Sequence, residues 1–293
     1  MVHFNGGDAE AFHTPGDKHA PDFPPETNGP QTLSGGAAAE TLSGGNGDDV
    51  IDGNGGADLL LGGNGEDTIV WDPGDGSDVV DGGRGFDTMQ FNTGNIGETM
   101  TLVAQDGHAL LTRDVGKIVM DLDRIEHVVF GPSGGADHVT LGDLSTTDVR
   151  QVDVDFGSGA DVLDASALGG HVSLTAEGGA GDDSLTGSAG DDVLAGGDGN
   201  DLLAGGGGAD RFVFRAGETG RDTIVDFQGH GADGRGDVLA LNGFSDHSFN
   251  EAVANHHVAQ VGADVVVSDA SGGIVTLQNV LVTSLHANDF AFG

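Results

Sequence analysis

Neither cysteine nor tyrosine occurs among the 293 residues, and tryptophan occurs once. The missing cysteines exclude disulfides and thiolate metal ligands. Aromatic residues make up 5% of the chain, and by composition alone such a sequence leans toward disorder. Basic residues are scarce as well: 10 Lys and Arg face 48 Asp and Glu, a net charge of -38. A nucleic-acid partner is excluded, because a phosphate backbone would meet a like-charged surface. No apolar run approaches the roughly 18 residues of a transmembrane segment. The opening MVHFNGGDAEAFHTPGD has no basic region followed by an apolar stretch, so no cleaved secretory signal is read there. The catalytic signatures H-E-x-x-H, G-x-S-x-G, the Walker loop and P-C-x-x-C are missing too, and the chain is expected not to be an enzyme.

What is abundant is acid and glycine, 55 residues of the latter. Like charges repel, and glycine-rich backbone is entropically costly to order. Divalent cations would reverse both effects, since they neutralise the acids and bind only the folded chain. The 37% of apolar residues suffice for a narrow core.

The acids and glycines are periodic. Nine-residue units run GGAAAETLS (35–43), GGNGDDVID (44–52), GNGGADLLL (53–61) and GGNGEDTIV (62–70). After a two-residue insertion, Trp71-Asp72, come PGDGSDVVD (73–81) and GGRGFDTMQ (82–90). A second run reads GGAGDDSLT (178–186), GSAGDDVLA (187–195), GGDGNDLLA (196–204) and GGGGADRFV (205–213). Glycine recurs at positions 1, 2 and 4, Asp at 6 and an aliphatic residue at 8, the G-G-x-G-x-D-x-U-x pattern of calcium-binding parallel β structures.

Each unit supplies one turn and one short strand. Positions 1 to 6 turn, and positions 7 to 9 form a strand whose residue at 8 points inward: Ile51, Leu60, Ile69, Val80 and Met89, then Leu185, Leu194, Leu203 and Phe212. Two units make a coil, and coils stack about 4.8 Å apart. Asp49 then stands over Asp67, and Asp183 over Asp201. Such carboxylate rows repel unless a hard cation takes six to eight oxygens from them and from the backbone. Calcium fits this better than magnesium, which holds its waters.

The fold expected is all-β: a right-handed parallel β-roll in two repeat blocks, with an intervening β segment and a C-terminal β-hairpin cap. The organisation reads as a flexible leader (1–32), a first block (33–90), an irregular β or solenoid segment (91–155), a second block (156–237) and a cap (238–293). In the middle, TMTLVA (99–104), HALLTR (108–113) and KIVMDL (117–122) read as strands. A continuing solenoid with longer, partly metal-free turns is expected there, with a lateral β-insertion as the alternative.

The repeats resemble the calcium-binding β-roll of RTX toxins and of serralysin-type secreted metalloproteases, over roughly residues 33–90 and 156–293. That resemblance implies ions held between turns on the same side. One turn gives carbonyls from positions 2 and 4, the next coil's turn gives those from 1 and 3, and both give the Asp. Carried over, one ion lies between Gly45, Gly47, Asp49 and Gly62, Asn64, Asp67; another lies between Gly179, Gly181, Asp183 and Gly196, Asp198, Asp201. The full candidate set in the first block is Gly44, Gly45, Asn46, Gly47 and Asp49; Gly53, Asn54, Gly55, Gly56 and Asp58; Gly62, Gly63, Asn64, Gly65 and Asp67; Gly74, Asp75, Gly76 and Asp78; and Gly82, Gly83, Arg84, Gly85 and Asp87. In the second it is Asp161; Gly178, Gly179, Ala180, Gly181 and Asp183; Gly187, Ser188, Ala189, Gly190 and Asp192; Gly196, Gly197, Asp198, Gly199 and Asp201; and Gly205, Gly206, Gly207, Gly208 and Asp210, followed by Asp222, Asp226 and Asp237. About eight ions are expected in all. Glu40 and Ala38 make the first unit degenerate, and the insertion at Trp71-Asp72 disturbs one site.

The resemblance further implies export. The terminal LHANDFAFG looks like the uncleaved signal that directs RTX proteins through a type I secretion channel, and a β cap is the bland reading of the same residues. An exported calcium-binding protein is therefore expected, secreted or cell-surface associated. A surface or matrix adhesin, or an exported signalling or membrane-active factor, is the alternative, and the initial Met argues against a fragment trimmed from an enzyme.

Overall fold

A computed structural model describes residues 29–131, 134–231, 235–268 and 273–293. Most of the leader (1–28) and the Ser271-Gly272 part of the expected cap turn lie outside the described residues. Two long sheets face each other, one of 11 strands and one of 14, and the chain passes from one to the other at nearly every turn. Within each sheet, strands from successive coils pair in parallel, as a β-roll requires.

The register follows the aliphatic residue of each unit. In the smaller sheet Ile51 pairs with Ile69, Ile69 with Met89, Met89 with Val128 and Val128 with Val152. In the larger sheet Leu60 pairs with Val80, and Val80 with Leu122. These side chains are buried and form one continuous row between the sheets. Each contributes on the order of 1.5–3 kcal/mol by leaving water, so the core is long and thin. Some strands outrun the three residues expected: Thr41–Asn46 and Leu59–Asn64 continue through the glycines, because Gly45 pairs with Gly63 and Asn46 with Asn64.

The insertion at Trp71 does not break the register. Trp71 is buried and stacks on Phe91 at 4.3 Å, and its indole N–H donates to the Gly76 carbonyl at 2.8 Å. The extra residues bulge outward while the ring fills the core.

The middle segment inserts extra strands into the larger sheet. Thr99–Gln105, His108–Arg113 and Ile118–Asp123 form an antiparallel meander lying inside the larger sheet. Its last strand pairs in parallel with Val79–Arg84, and its first pairs in parallel with His138–Leu141. The solenoid therefore runs on through the insertion. The C-terminal cap repeats this topology: Val258–Val261, Asp264–Ser268 and Ile274–Leu277 form a second meander, whose last strand pairs with Arg221–Ile224. A third strand and a short helix, Phe249–Ala254 capped by Ser248, thus enlarge the hairpin that was expected. The final strand, Phe290–Phe292, pairs with Val238–Asn242, and Phe290 stacks on Phe249 at 4.8 Å. Among the described residues, no helix is long and apolar enough to cross a membrane.

Candidate metal centre

The residue before each strand is where the turns of successive coils meet. On the side leading into the smaller sheet these residues are Gln31, Asp49, Asp67, Asp87, Glu126, Arg150, Val172, Asp192, Asp210, Asp237 and Asp289. On the other side the column runs Glu40, Asp58 and Asp78, then, beyond the meander, Glu98, Asp137, Asp161, Asp183 and Asp201, and it ends on Asp222, the second residue of the strand Arg221–Ile224, which accepts the Asp201 amide.

Within each column the carboxylates are tied to the backbone. The amide of Asp49 donates to Asp67 Oδ1 (2.8 Å), that of Asp67 to Asp87 Oδ1 (2.8 Å), and that of Asp183 to Asp201 Oδ1 (2.9 Å). The ladder crosses the Trp71 insertion without a gap, from Asp58 N–H to Asp78 Oδ1 at 2.9 Å. It also runs through the middle segment, from Glu98 to Asp137 and from Asp137 to Asp161. One oxygen of each carboxylate is therefore satisfied by the preceding coil.

The other oxygen is not. Oδ2 of Asp49, Asp58, Asp67, Asp87, Asp137, Asp161, Asp183 and Asp201 is buried without a hydrogen-bond partner. A buried carboxylate oxygen left unpaired costs on the order of 1–3 kcal/mol or more, so a recurring row of them calls for a ligand. Burial raises the affinity of these groups for protons: Asp67, Asp78 and Asp137 are pushed up to about 6, and Asp87, Asp183, Asp210 and Asp222 to about 7. The cause is loss of water around the charge, reinforced by neighbouring carboxylates.

Glycine at position 1 keeps the space beside Oδ2 open. A Cβ on Gly44 would collide with Asp49 Oδ2 and lie 2.6 Å from the Gly62 carbonyl oxygen. A Cβ on Gly178 would collide with Asp183 Oδ2 and lie 2.6 Å from the Gly196 carbonyl oxygen. The same void is thus bounded by a carboxylate of one coil and a main-chain oxygen of the next. Carbonyls at positions 2 and 4 also point across the gap, since those of Gly45 and Gly47 abut the side-chain-free faces of Gly63 and Gly65. Gly45 and Gly47 reach this orientation with φ of 96° and 113°, which favours glycine. The oxygen-only donor set and the orphaned Oδ2 atoms fit a hard cation such as calcium. Among the described residues no three His, Cys, Asp or Glu side chains converge, as befits sites built from one carboxylate per turn and backbone oxygens.

Not every residue of the expected set sits alike. The position-3 carbonyls of Asn64, Arg84 and Asp198 each already accept the amide of the preceding coil's position 4. Asp192 begins a column segment, because Val172 precedes it, and Ser188 satisfies it through both N–H (2.6 Å) and hydroxyl (2.9 Å). Asp237 accepts the amides of Asp210 and Gln228. Asp226 lies off the columns and accepts the amides of Gly205 and Gly206 at 3.0 and 2.9 Å. Asp75 bonds locally to the Asp72 amide.

The expected ligand set leaves out Glu98, Asp137, Glu126 and Asp289, although SGGADHVTL (133–141) reads as a weaker echo of the repeat. Gly-Gly-Ala-Asp at 134–137 repeats the signal of 55–58 and was available; Glu98 has only a glycine before it and a Met two places on, and no spacing rule finds it. Asp289 is fully buried and accepts the amides of His230 and His286, closing its column with protein donors.

Comparison with known proteins bears on the same residues. A model of the RTX calcium-binding nonapeptide repeat matches residues 34–69, 74–89 and 177–212, in four copies. The endo-1,3-1,4-beta-glycanase EglC of Rhizobium meliloti is 40% identical over 80 residues, 27% of this chain and 15% of the glycanase. The extracellular lipase LipA of Serratia marcescens aligns over 91% of this chain and 40% of its own, at 18% identity and a TM-score of 0.32. The chain thus spans less than half the length of either protein. This chain carries RTX calcium-binding nonapeptide repeats over residues 34–69, 74–89 and 177–212, set in the architecture of a parallel β-roll.

Proposed function

We propose that the chain is an exported protein whose repeat blocks fold when extracellular calcium enters between their turns. The row of buried Oδ2 atoms without partners supports this most directly. A chain of net charge -38 gains little by burying further unpaired charge, and cation binding reverses that sign. Six units in the first run provide about four same-side pairs, the second run about two and the flanking aspartates about two, so about eight ions are expected. Extracellular modules commonly bind in the range of about 10⁻⁴ to 10⁻³ M, which suits a switch thrown on leaving the cell. A type I secretion channel is the expected route.

We read the chain as non-catalytic. The column carboxylates are engaged by backbone amides and, on this reading, by calcium, which accounts for the abundance of paired acids without a catalytic role. The glycanase and lipase activities named for its relatives are accordingly not ascribed to it.

Far-UV circular dichroism in excess chelator, followed by a calcium titration, tests the proposal. A cooperative gain of β signal at millimolar calcium is expected. A full β spectrum in chelator that ignores added calcium would overturn it.

A further inference from the structure

We infer that Arg113 is a built-in cation of the second carboxylate column, so that Glu98 is neutralised from within although its other oxygen and Oδ2 of Asp137 have no hydrogen-bond partner. This inference rests on the reading of the columns as cation sites. The ladder passes without interruption from Glu98 to Asp137 to Asp161. At Glu98 alone in this stretch the Asp is replaced by a residue one methylene longer, and its carboxylate forms an ion pair with the Arg113 guanidinium. Both partners are removed from water: Arg113 is 7% exposed and the Glu98 side chain 0%.

The meander is what delivers the arginine. Arg113 is the last residue of His108–Arg113, and its strand faces Thr99–Gln105, the strand that Glu98 precedes. The guanidinium also lies 5.1 Å from the centroid of the Trp71 ring, which itself stacks on Phe91. A cation over an indole face is favourable, more so when desolvated. Arg113 further favours the charged form of Asp137, against the burial that pushes it up. Removing one member of a buried ion pair leaves an uncompensated charge, whereas removing both does not.

The neighbourhood repeats the device. Arg124 pairs with Asp81, donating through Nε at 2.6 Å, and Arg150 takes a column position next to Glu126, whose charged form it favours. Arg113, Lys117, Arg124 and Arg150 are four of the chain's 10 basic residues, gathered within 38 positions. The middle segment is consequently the part of the roll that keeps its structure without added metal.

Hydrogen exchange on the full chain in chelator, read together with emission and acrylamide quenching of the single tryptophan, tests the inference. In the wild-type chain, amides of residues 88–141 should stay protected and Trp71 should stay shielded, while those of 41–64 and 178–212 exchange freely. Arg113→Gln should speed exchange of the middle amides on the order of a hundredfold and expose Trp71. The double variant Glu98→Gln with Arg113→Met should recover most of that protection, which a purely aromatic-stacking role for Arg113 would not allow. Unchanged protection in Arg113→Gln, or a double variant as damaged as the single, would overturn the inference. Protection of the repeat blocks in chelator would instead overturn the calcium reading on which it stands.

Discussion

The repeat blocks and the segment between them bury the same kind of carboxylate column but neutralise it by different means. In the blocks, Asp49, Asp67, Asp183 and Asp201 each keep an oxygen with no protein partner, beside a void that glycine holds open. In the middle, Glu98 and Asp137 keep such an oxygen too, but Glu98 also pairs with Arg113 and Glu126 sits beside Arg150, both supplied by the chain itself. A side-chain cation costs rotamer entropy once and is always present; an ion from solution costs nothing until it binds and makes stability depend on its concentration. If the blocks fold on calcium as proposed, one solenoid holds a constitutive part and a conditional part with no change in strand register.

Removing calcium should break this comparison most visibly, with the two blocks losing protection and the middle retaining it. Filling the void comes next. Gly178→Ala should raise the calcium midpoint for folding at least about tenfold, since the new methyl collides with Asp183 Oδ2 and the Gly196 carbonyl oxygen. Gly94→Ala in the middle should leave it unchanged, because nothing lies within 4 Å of the added carbon. Equal shifts for the two would show that the void has no role.

Single carboxylates should then separate by partner. Asp183→Asn should raise the calcium midpoint several-fold yet stabilise the metal-free chain, because it removes a buried charge that has no partner there. Asp192→Asn should destabilise with and without calcium alike, since both of its oxygens accept from Ser188. Denaturant melts of the two variants, each with calcium and with chelator, check the sign. Glu40→Ala should have the smallest effect, about 1 kcal/mol, through loss of the bond from the Gly36 amide to its carboxylate.

Acidity should act oppositely on the two states of the blocks. Without metal, Asp87, Asp183 and Asp210 bind protons in the folded chain up to about pH 7, against an ordinary value of 3.8. Their contribution to stability is fully present below that ordinary value and is lost as pH rises to about 7. With metal, protons compete for the same oxygens, so the calcium midpoint should climb as pH falls from 8 to about 6. A midpoint independent of pH over that range would count against the carboxylates as ligands.

Much of this was legible in the sequence because the repeat makes local and global patterns agree: the residue at position 8 lies in the core at Ile51, Leu60, Leu185 and Leu203 alike. The void beside each Asp was half legible. Glycine at position 1 is plain in the sequence, but not that its missing side chain faces a carboxylate oxygen. Glu98 and Arg113 were hidden, since their pairing depends on a strand reversal fifteen residues long and not on any period. The Ser188 bonds of Asp192 were not legible, because its repeat context is regular while the coil beneath it, which offers Val172, is not.

The ladder of amides and carboxylates has a direction. Every rung runs from the amide of an earlier coil to the acid of a later one: Gln31 to Asp49, Asp49 to Asp67, Glu98 to Asp137, Asp183 to Asp201, Asp210 to Asp237. The strand amides donate the other way, Val50 to the Gln31 carbonyl and Thr68 to the Asp49 carbonyl, so neighbouring coils complete each other through different groups. Trimming from the N-terminal side therefore frees one carboxylate oxygen and one strand amide of the next coil, whereas trimming from the C-terminal side leaves the buried N–H of a column residue without its acid. The C-terminal end of the roll avoids that loss: the Asp237 amide donates to the Gln228 carbonyl, and Asp289 is satisfied by the amides of His230 and His286.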